Sequence, residues 1–259
     1  MRDVSQTRPT KLGFFHFGDG YENPIRALEV ALYEADDPTN ALIVLPEGFN
    51  LGVQYRGPGT RNFKRTVVFA LKRLAEHFRA TFIAGLVIRG PCGPRPPYST
   101  VYLIDKTTHA LLCSKGIADD TEAQSVGHHQ VNYTRRINVP DFRNPIQYGG
   151  LAIGALICGD AIHQNRESRS HWDRIRRVVN ASDVICVPSH MGCGNFNNGK
   201  SGSAASLIPE WRHKFLILAN SKSDGIDSFV TDGDGTILEP TVGGSQNKVV
   251  TLPLLLPNS

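Results

Sequence analysis

Three side chains with reactive groups each stand directly after an apolar run of the 259-residue chain. Glu47 follows ALIVLP, Lys115 follows ALLCS, and Cys158 closes LAIGALIC and is followed by Gly159 and Asp160. A carboxylate can carry a proton between steps of a reaction. A lysine offers a fixed positive charge, and a thiol, as thiolate, is a nucleophile. In open α/β sheets, ligand sites form outside the carboxyl ends of strands. An acid, a cation and a thiol therefore stand where active sites are built.

Other motifs suggest other chemistry. Gly194-Asn-Phe-Asn-Asn-Gly199-Lys200-Ser201 is a full match to the phosphate-binding loop pattern G-x-x-x-x-G-K-[ST], between a strand (VICVP) and a helix. It would make the chain a nucleotide-binding ATPase, with backbone N–H groups and Lys200 cradling phosphates and Ser201 holding magnesium. Against it, the next strand, FLILANS, lacks the terminal acid that should help hold the metal. Asp232-Gly-Asp-Gly235 matches part of a calcium loop but lacks its later acids, and reads as a turn. His128-His129 has no third ligand at metal spacing. Cys113 and Cys186 lie inside apolar strands and read as packing residues, Cys92 sits in a proline-rich loop, and Cys193 falls in the loop after VICVPSH.

The chain that must position these groups is ordinary in composition, with 40% hydrophobic and 20% charged residues. Lys and Arg number 28 against 24 Asp and Glu, a formal charge of +4. That excess does not argue for nucleic acid, and no basic block lies beside a row of aromatics. The longest clean apolar run, Leu151–Cys158, falls far short of the roughly 20 residues a membrane helix needs. Met1–Lys11 is polar and lacks the core of a signal peptide. Five cysteines without CxxC spacing point to free thiols in a reducing cytoplasm.

Strands and helices alternate with no linker long enough to divide the chain, so residues 1–259 are expected to form one domain. Strands are predicted at Lys11–Phe17, Ala41–Leu45, Thr81–Ile88, Tyr98–Ile104, His109–Ser114, Leu151–Ile157, Val184–Pro188, Phe215–Ala219 and Lys248–Leu252, with a weak one at Arg136–Val139. A hairpin is predicted from Ser228–Thr231 and Thr236–Leu238. Helices are predicted at Glu22–Ala35, Thr60–Arg79, Arg166–Ala181 and Ser201–Lys214. In the second, Phe63, Val67, Ala70, Leu74 and Phe78 make a core-facing stripe. Gly116–Tyr148 reads as a long irregular segment, the kind that is often functional. The mixture of hairpins and helical crossovers suggests sheets with helices layered outside.

PEG after an apolar strand, a lysine closing a strand, and ICGD after another resemble the three signatures of the nitrilase (carbon–nitrogen hydrolase) superfamily. ASDVICVPSHMG and LILANSKSDGIDSFVTDGDGTIL also resemble its later strands and hairpin, so the likeness covers nearly the whole chain, from KLGFFHFG onward. The chain departs from the family's pattern at Gly159, where an aromatic is common, at AIHQNRES, and at His16, where a polar amide is frequent. The resemblance implies an α/β fold, an α-β-β-α sandwich of two mixed sheets with helices outside, acting as a homodimer or larger homo-oligomer. It implies hydrolysis of a non-peptide carbon–nitrogen bond in a small-molecule amide, or less readily a nitrile, with no metal and no organic cofactor.

In that scheme Glu47 takes the thiol proton, Cys158 attacks and forms a thioester, and Lys115 faces the oxyanion. The N–H of Gly159 is the natural second donor, and its missing side chain lets substrate approach the thiol. A second glutamate often lies several residues beyond the lysine in the family, and Glu122 has that placement, although Asp119, Asp120 and Glu122 also read as a solvated acidic loop. His190 and the loop Gly192–Gly199 are expected to line the substrate pocket. The same likeness would also suit a catalytically silent member that serves as a binding protein.

Overall fold

The computed structural model describes residues 7–18, 23–49, 60–88, 98–114, 145–157, 169–189, 214–221 and 227–255. Strands β1 (Lys11–Phe17), β2 (Ala41–Leu45), β3 (Thr81–Ile88), β4 (Tyr98–Ile104) and β5 (His109–Ser114) occupy one sheet, completed by β12 (Asn247–Pro253) in the order β12-β1-β2-β3-β4-β5. The second sheet runs β11 (Ile237–Val242), β10 (Ser228–Thr231), β9 (Phe215–Ala219), β8 (Val184–Pro188), β7 (Leu151–Ala155) and β6 (Ile146–Tyr148). Helices α1 (Pro24–Glu34) and α2 (Thr60–Phe78) lie on the first sheet, and α3 (Arg169–Asn180) packs on β7. This is the α-β-β-α sandwich expected from the resemblance.

Side-chain alternation builds the layers. In β1, Leu12 and Phe14 enter the core between the sheets, with Val44, Ile83, Ile153, Cys186 and Ile217. Phe15 and Phe17 point the other way, into the layer under the helices with Leu28, Leu32, Leu71 and Leu74. Helix α1 begins where Asn23 Oδ1 accepts the N–H groups of Ile25 and Arg26, and Pro24 holds the first turn. Gly154 opens the face of β7 to α3: a Cβ there would strike the Ser182 hydroxyl.

Strand direction decides where a site can be. β1, β2 and β3 are parallel, and two antiparallel steps through β4 make β5 parallel to them. β7, β8 and β9 are parallel to one another. Two backbone bonds tie the sheets at the same end: Phe17 N–H donates to the Asn220 carbonyl (3.2 Å) and Glu47 N–H to the Ser189 carbonyl (3.3 Å). The carboxyl ends of seven strands are thereby gathered at one end of the sandwich.

Several boundaries differ from the sequence reading. Over residues 66–78 the buried stripe of α2 is Val67, Val68, Leu71, Leu74 and Ala75, with Ala70 and Phe78 at its margin, because a helix on a sheet buries a broad stripe rather than a single row; the Phe63 side chain lies outside the described residues. β7 ends at Ala155, although Leu156 and Ile157 stay buried and Leu156 N–H still donates to the Cys186 carbonyl. β6 was not foreseen: it forms a hairpin with β7 through Gly149 and Gly150, whose φ values of 55° and 79° suit the tight turn. β11 runs on to Val242 past Pro240, which an edge strand tolerates. The expected strand at 136–139, most of the expected helix at 201–214, and Arg166 at the start of the third helix lie outside the described residues.

Candidate active site

Glu47 is the sequence-predicted site residue that the structure describes. It is 3% exposed, in the turn Glu47-Gly48-Phe49 directly after β2. Gly48 takes a φ of 69°, which turns the chain back so that Phe49 N–H donates to the Gly85 carbonyl of β3 (3.0 Å). The Phe49 ring then meets Phe15 edge-on, at 6.2 Å between centroids. On the other side Glu47 N–H reaches across to Ser189, whose own N–H donates to the Ala219 carbonyl (2.8 Å). The carboxylate's backbone is thus held by both sheets.

The gap between the sheets is narrow here. A Cβ at Gly85 would lie 2.8 Å from Glu47 Cα, 2.8 Å from Pro188 Cβ and 2.9 Å from the Pro46 carbonyl oxygen. Only a glycine lets β3, the Glu47 turn and the end of β8 approach so closely.

The other strand ends lead toward the same region. β5 ends at Ser114, and the next residue in sequence is Lys115. The described chain after β7 ends at Ile157, and the next residue is Cys158. β5 packs on β7, while β2 and β3 pack on β8. Lys115, Glu122, Cys158, Gly159 and His190 themselves lie outside the described residues, as do Lys200, Ser201, Cys92, Cys193 and His128-His129.

A second polar group at this end was noted in sequence only as a departure from the family pattern. His16, fully buried, has the same parity in β1 as Leu12 and Phe14 and so lies between the sheets. Its Nε2 is 3.0 Å from the Gly244 carbonyl oxygen and its Nδ1 is 2.8 Å from Ser228 Oγ. A carbonyl only accepts, so Nε2 carries the proton and Nδ1 accepts from the Ser228 hydroxyl. Ser228 Oγ in turn accepts the Asn220 N–H (2.8 Å). Burial pushes the imidazole below its usual value, against the pull of the Gly244 carbonyl and Asp227. This network braces the residue after β9 that bonds Phe17.

Among the described residues, no group of three His, Cys, Asp or Glu could hold a metal ion. Asp232 instead closes its own turn, its Oδ1 accepting from Asp234 and Thr236 N–H (both 2.9 Å). Cys113 and Cys186 are buried and form no disulfide, and burial raises the Cys186 thiol far above its usual value. Likewise among the described residues, no helix is long and apolar enough to cross a membrane.

The architecture is that of solved amidases of the nitrilase superfamily. An amidase from Nesterenkonia sp. superposes with a TM-score of 0.64 at 17% identity, over 96% of this chain and 92% of its own. A cysteine-to-serine variant of the Nesterenkonia AN1 amidase, from the nitrilase superfamily, gives 0.66 at 16%, over 96% and 92%. A glutamate-to-glutamine variant of the AN1 amidase, in which acrylamide has added to the active-site cysteine, gives 0.65 at 16%, over 96% and 93%. No protein-family model matches the sequence, and no curated protein matches it significantly.

Proposed function

We propose that this chain is a cysteine-dependent hydrolase of a non-peptide carbon–nitrogen bond, acting on small amides in preference to nitriles. The observation that carries the reading is the buried Glu47 at the common carboxyl end of both sheets, where β5 leads to Lys115 and β7 leads to Cys158. The sandwich shared with amidases that use a cysteine supports it.

In the reaction, Glu47 takes the Cys158 proton and the sulfur attacks the amide carbon. The carbonyl oxygen becomes an oxyanion facing the Lys115 ammonium and the Gly159 N–H. The carbon–nitrogen bond breaks as Glu47 returns the proton to nitrogen, and ammonia or an amine leaves. A thioester on Cys158 remains. Glu47 then draws a proton from water, which attacks the thioester; the carbon–sulfur bond breaks, the carboxylic acid leaves, and Glu47 returns the proton to the Cys158 sulfur. Glu122 steadies Lys115 or the substrate, and His190 contributes to the substrate pocket. The solved amidases hold acrylamide and butyramide, so short aliphatic primary amides are the substrates to try first. The resemblance extends the proposal to a homodimer or larger homo-oligomer, which light scattering on the purified chain would check.

The test is interception of the intermediate. With butyramide and hydroxylamine, the wild-type chain should yield butyrohydroxamate as well as acid, and intact-mass spectra should show an acyl group on Cys158. Cys158→Ala should form neither product, while Cys92→Ala and Cys193→Ala should form both. Glu47→Gln keeps the shape but cannot take a proton, so both steps should collapse. Full activity in Cys158→Ala, or an acyl group on another cysteine, would refute the assignment.

A further inference from the structure

The connection from β11 to β12 leaves the edge of one sheet and enters the edge of the other. Its turn, at 243–246, lies against the end of β1, where Gly18 N–H donates to the Gln246 carbonyl (3.1 Å). Beneath this exposed turn the buried His16 joins three parts of the fold. Its backbone belongs to β1, its Nε2 donates to the Gly244 carbonyl on the turn (3.0 Å), and its Nδ1 accepts the Ser228 hydroxyl of β10 in the opposite sheet (2.8 Å).

The bonds continue from there to Glu47. Ser228 Oγ accepts the Asn220 N–H (2.8 Å), at the end of β9. The residue before it, Ala219, accepts the Ser189 N–H (2.8 Å), and the Ser189 carbonyl accepts the Glu47 N–H (3.3 Å). The imidazole therefore stands at one end of a hydrogen-bonded chain that has the Glu47 turn at the other.

A proton on His16 disrupts this chain. Both ring nitrogens of an imidazolium are donors. The new N–H at Nδ1 and the Ser228 O–H cannot both occupy the 2.8 Å gap between them. Ser228 must turn its hydrogen away, and among the described residues its hydrogen bonds are those to His16 and Asn220 alone. A buried donor is then left without a partner beside a buried charge, and both are unfavourable.

We propose, resting on the hydrolase reading above, that His16 is a positioning residue and an acid-sensitive latch: the neutral imidazole clamps β10 and the β11–β12 turn to β1, and a proton at Nδ1 releases them, displaces Glu47 and lowers amidase activity. The ionisable groups around the ring, among the described residues, are Asp227 before β10, Lys248 opposite His16 in β12, and Glu47 after β2. The end of β9 and the turn at 243–246 contribute none. Asp227 pulls toward the protonated form, and burial, the larger influence, pushes against it. Once released to water, the ring takes its proton at an ordinary value of about 6.5. Acid therefore draws the latch open: activity is full above about pH 6.5 and is lost as the pH falls through the lower folded value.

The experiment follows kcat for butyramide from pH 5 to 8, beside NMR titration of the His16 imidazole and the Glu47 amide in isotope-labelled protein. In wild type, kcat should fall reversibly with the imidazole's midpoint, by up to about tenfold per pH unit, the limit for one proton. The Glu47 amide resonance should move with the same midpoint, while the far-UV circular dichroism stays constant. His16→Gln keeps a donor and an acceptor but cannot titrate. It should retain kcat within about threefold at pH 7.5 and lose this acid limb. Ser228→Ala leaves the imidazole free to titrate but cuts the chain, so the Glu47 amide should no longer follow it. This second variant decides the matter if His16→Gln does not fold. An acid limb unchanged in His16→Gln overturns the latch, as does a Glu47 amide that ignores the His16 titration in wild type. An imidazole that stays neutral down to pH 5, or a fall in kcat that coincides with loss of the circular dichroism signal, overturns it too. If wild type cleaves butyramide, these results remove the latch and leave the hydrolase reading standing. If wild type cleaves no amide, the hydrolase reading fails, and the NMR titrations alone decide whether His16 moves Glu47.

Discussion

Gly85→Ala is the sharpest test of how the fold holds Glu47. The added methyl meets three atoms at 2.8–2.9 Å, where ordinary contact begins near 3.4 Å. Two of the three are backbone atoms of Pro46 and Glu47, which cannot swing aside as a long side chain could. Relief requires the Glu47 turn and the end of β8 to move by roughly half an ångström. Overpacking of this kind costs about 1–3 kcal/mol. The Glu47–Ser189 bond, already 3.3 Å long, is the contact such a shift breaks, at a further cost of about 0.5–1.5 kcal/mol. The expected total is about 2–4 kcal/mol, a fall of about 4–16 °C in melting temperature for a domain of this size. A catalytic group displaced by about 1 Å can lose 10²-fold in rate, so amidase activity should fall about 10- to 100-fold. The assay is calorimetry beside butyramide turnover, with Gly233→Ala as control, since a Cβ at Gly233 meets nothing within 4 Å. A Gly85→Ala variant with the melting temperature and activity of the control would refute the close-approach argument. A large drop in stability with full activity would refute its link to Glu47.

Three further outcomes are expected. The His16 imidazole is held below the 6.5 of a free histidine, so the unfolded chain binds its proton more readily. Stability from this group is therefore complete above about pH 6.5 and is lost as the pH falls toward the folded value, with a slope of at most about 1.4 kcal/mol per pH unit. Urea midpoints between pH 5 and 8 should show this loss in wild type and a flatter profile in His16→Gln; identical profiles would sink the idea. Lys115→Ala should reduce kcat about 10²–10³-fold, as for other lost oxyanion donors, and a rate within threefold of wild type would count against its role. Lys200→Ala should leave amidase activity within a few-fold, and magnesium-dependent ATP binding that vanishes in this variant would instead establish the phosphate-loop reading.

Much of the fold was legible because its strands are continuous apolar runs closed by Pro, Gly or charge. β1 to β5, β8, β9 and β10 fall where those runs fall. β6 was hidden: IQY is too short and polar to register, although the Gly149-Gly150 pair beside LAIGA is a hairpin signal. β11 was cut short because Pro240 reads as a terminator, and only the sheet order shows that it lies on an edge. Glu47 could be picked out because strand direction and strand end are local properties. The roles of Gly85, Ser189 and His16 could not, because each depends on a residue of the opposite sheet or of a distant hairpin. No pattern in GLVI announces that Pro188 lies against it.

The pairing of β1 with β12 has a consequence for how the chain folds. β1 is flanked by β2 on one side and by β12 on the other, and His16 waits for a carbonyl 228 residues further along the sequence. Contacts this distant in sequence form slowly, since a long loop must close before any of them is rewarded. During synthesis, β1 to β5 can assemble while one edge of β1 stays open, and an open apolar edge is a template for pairing with another chain. The helical cover of α1 and α2 hides one face of that early sheet but not its edge. Chaperone dependence and aggregation of this chain should therefore be governed by the arrival of residues 228–253. Slowing translation before that segment should lower the soluble yield more than slowing it afterwards.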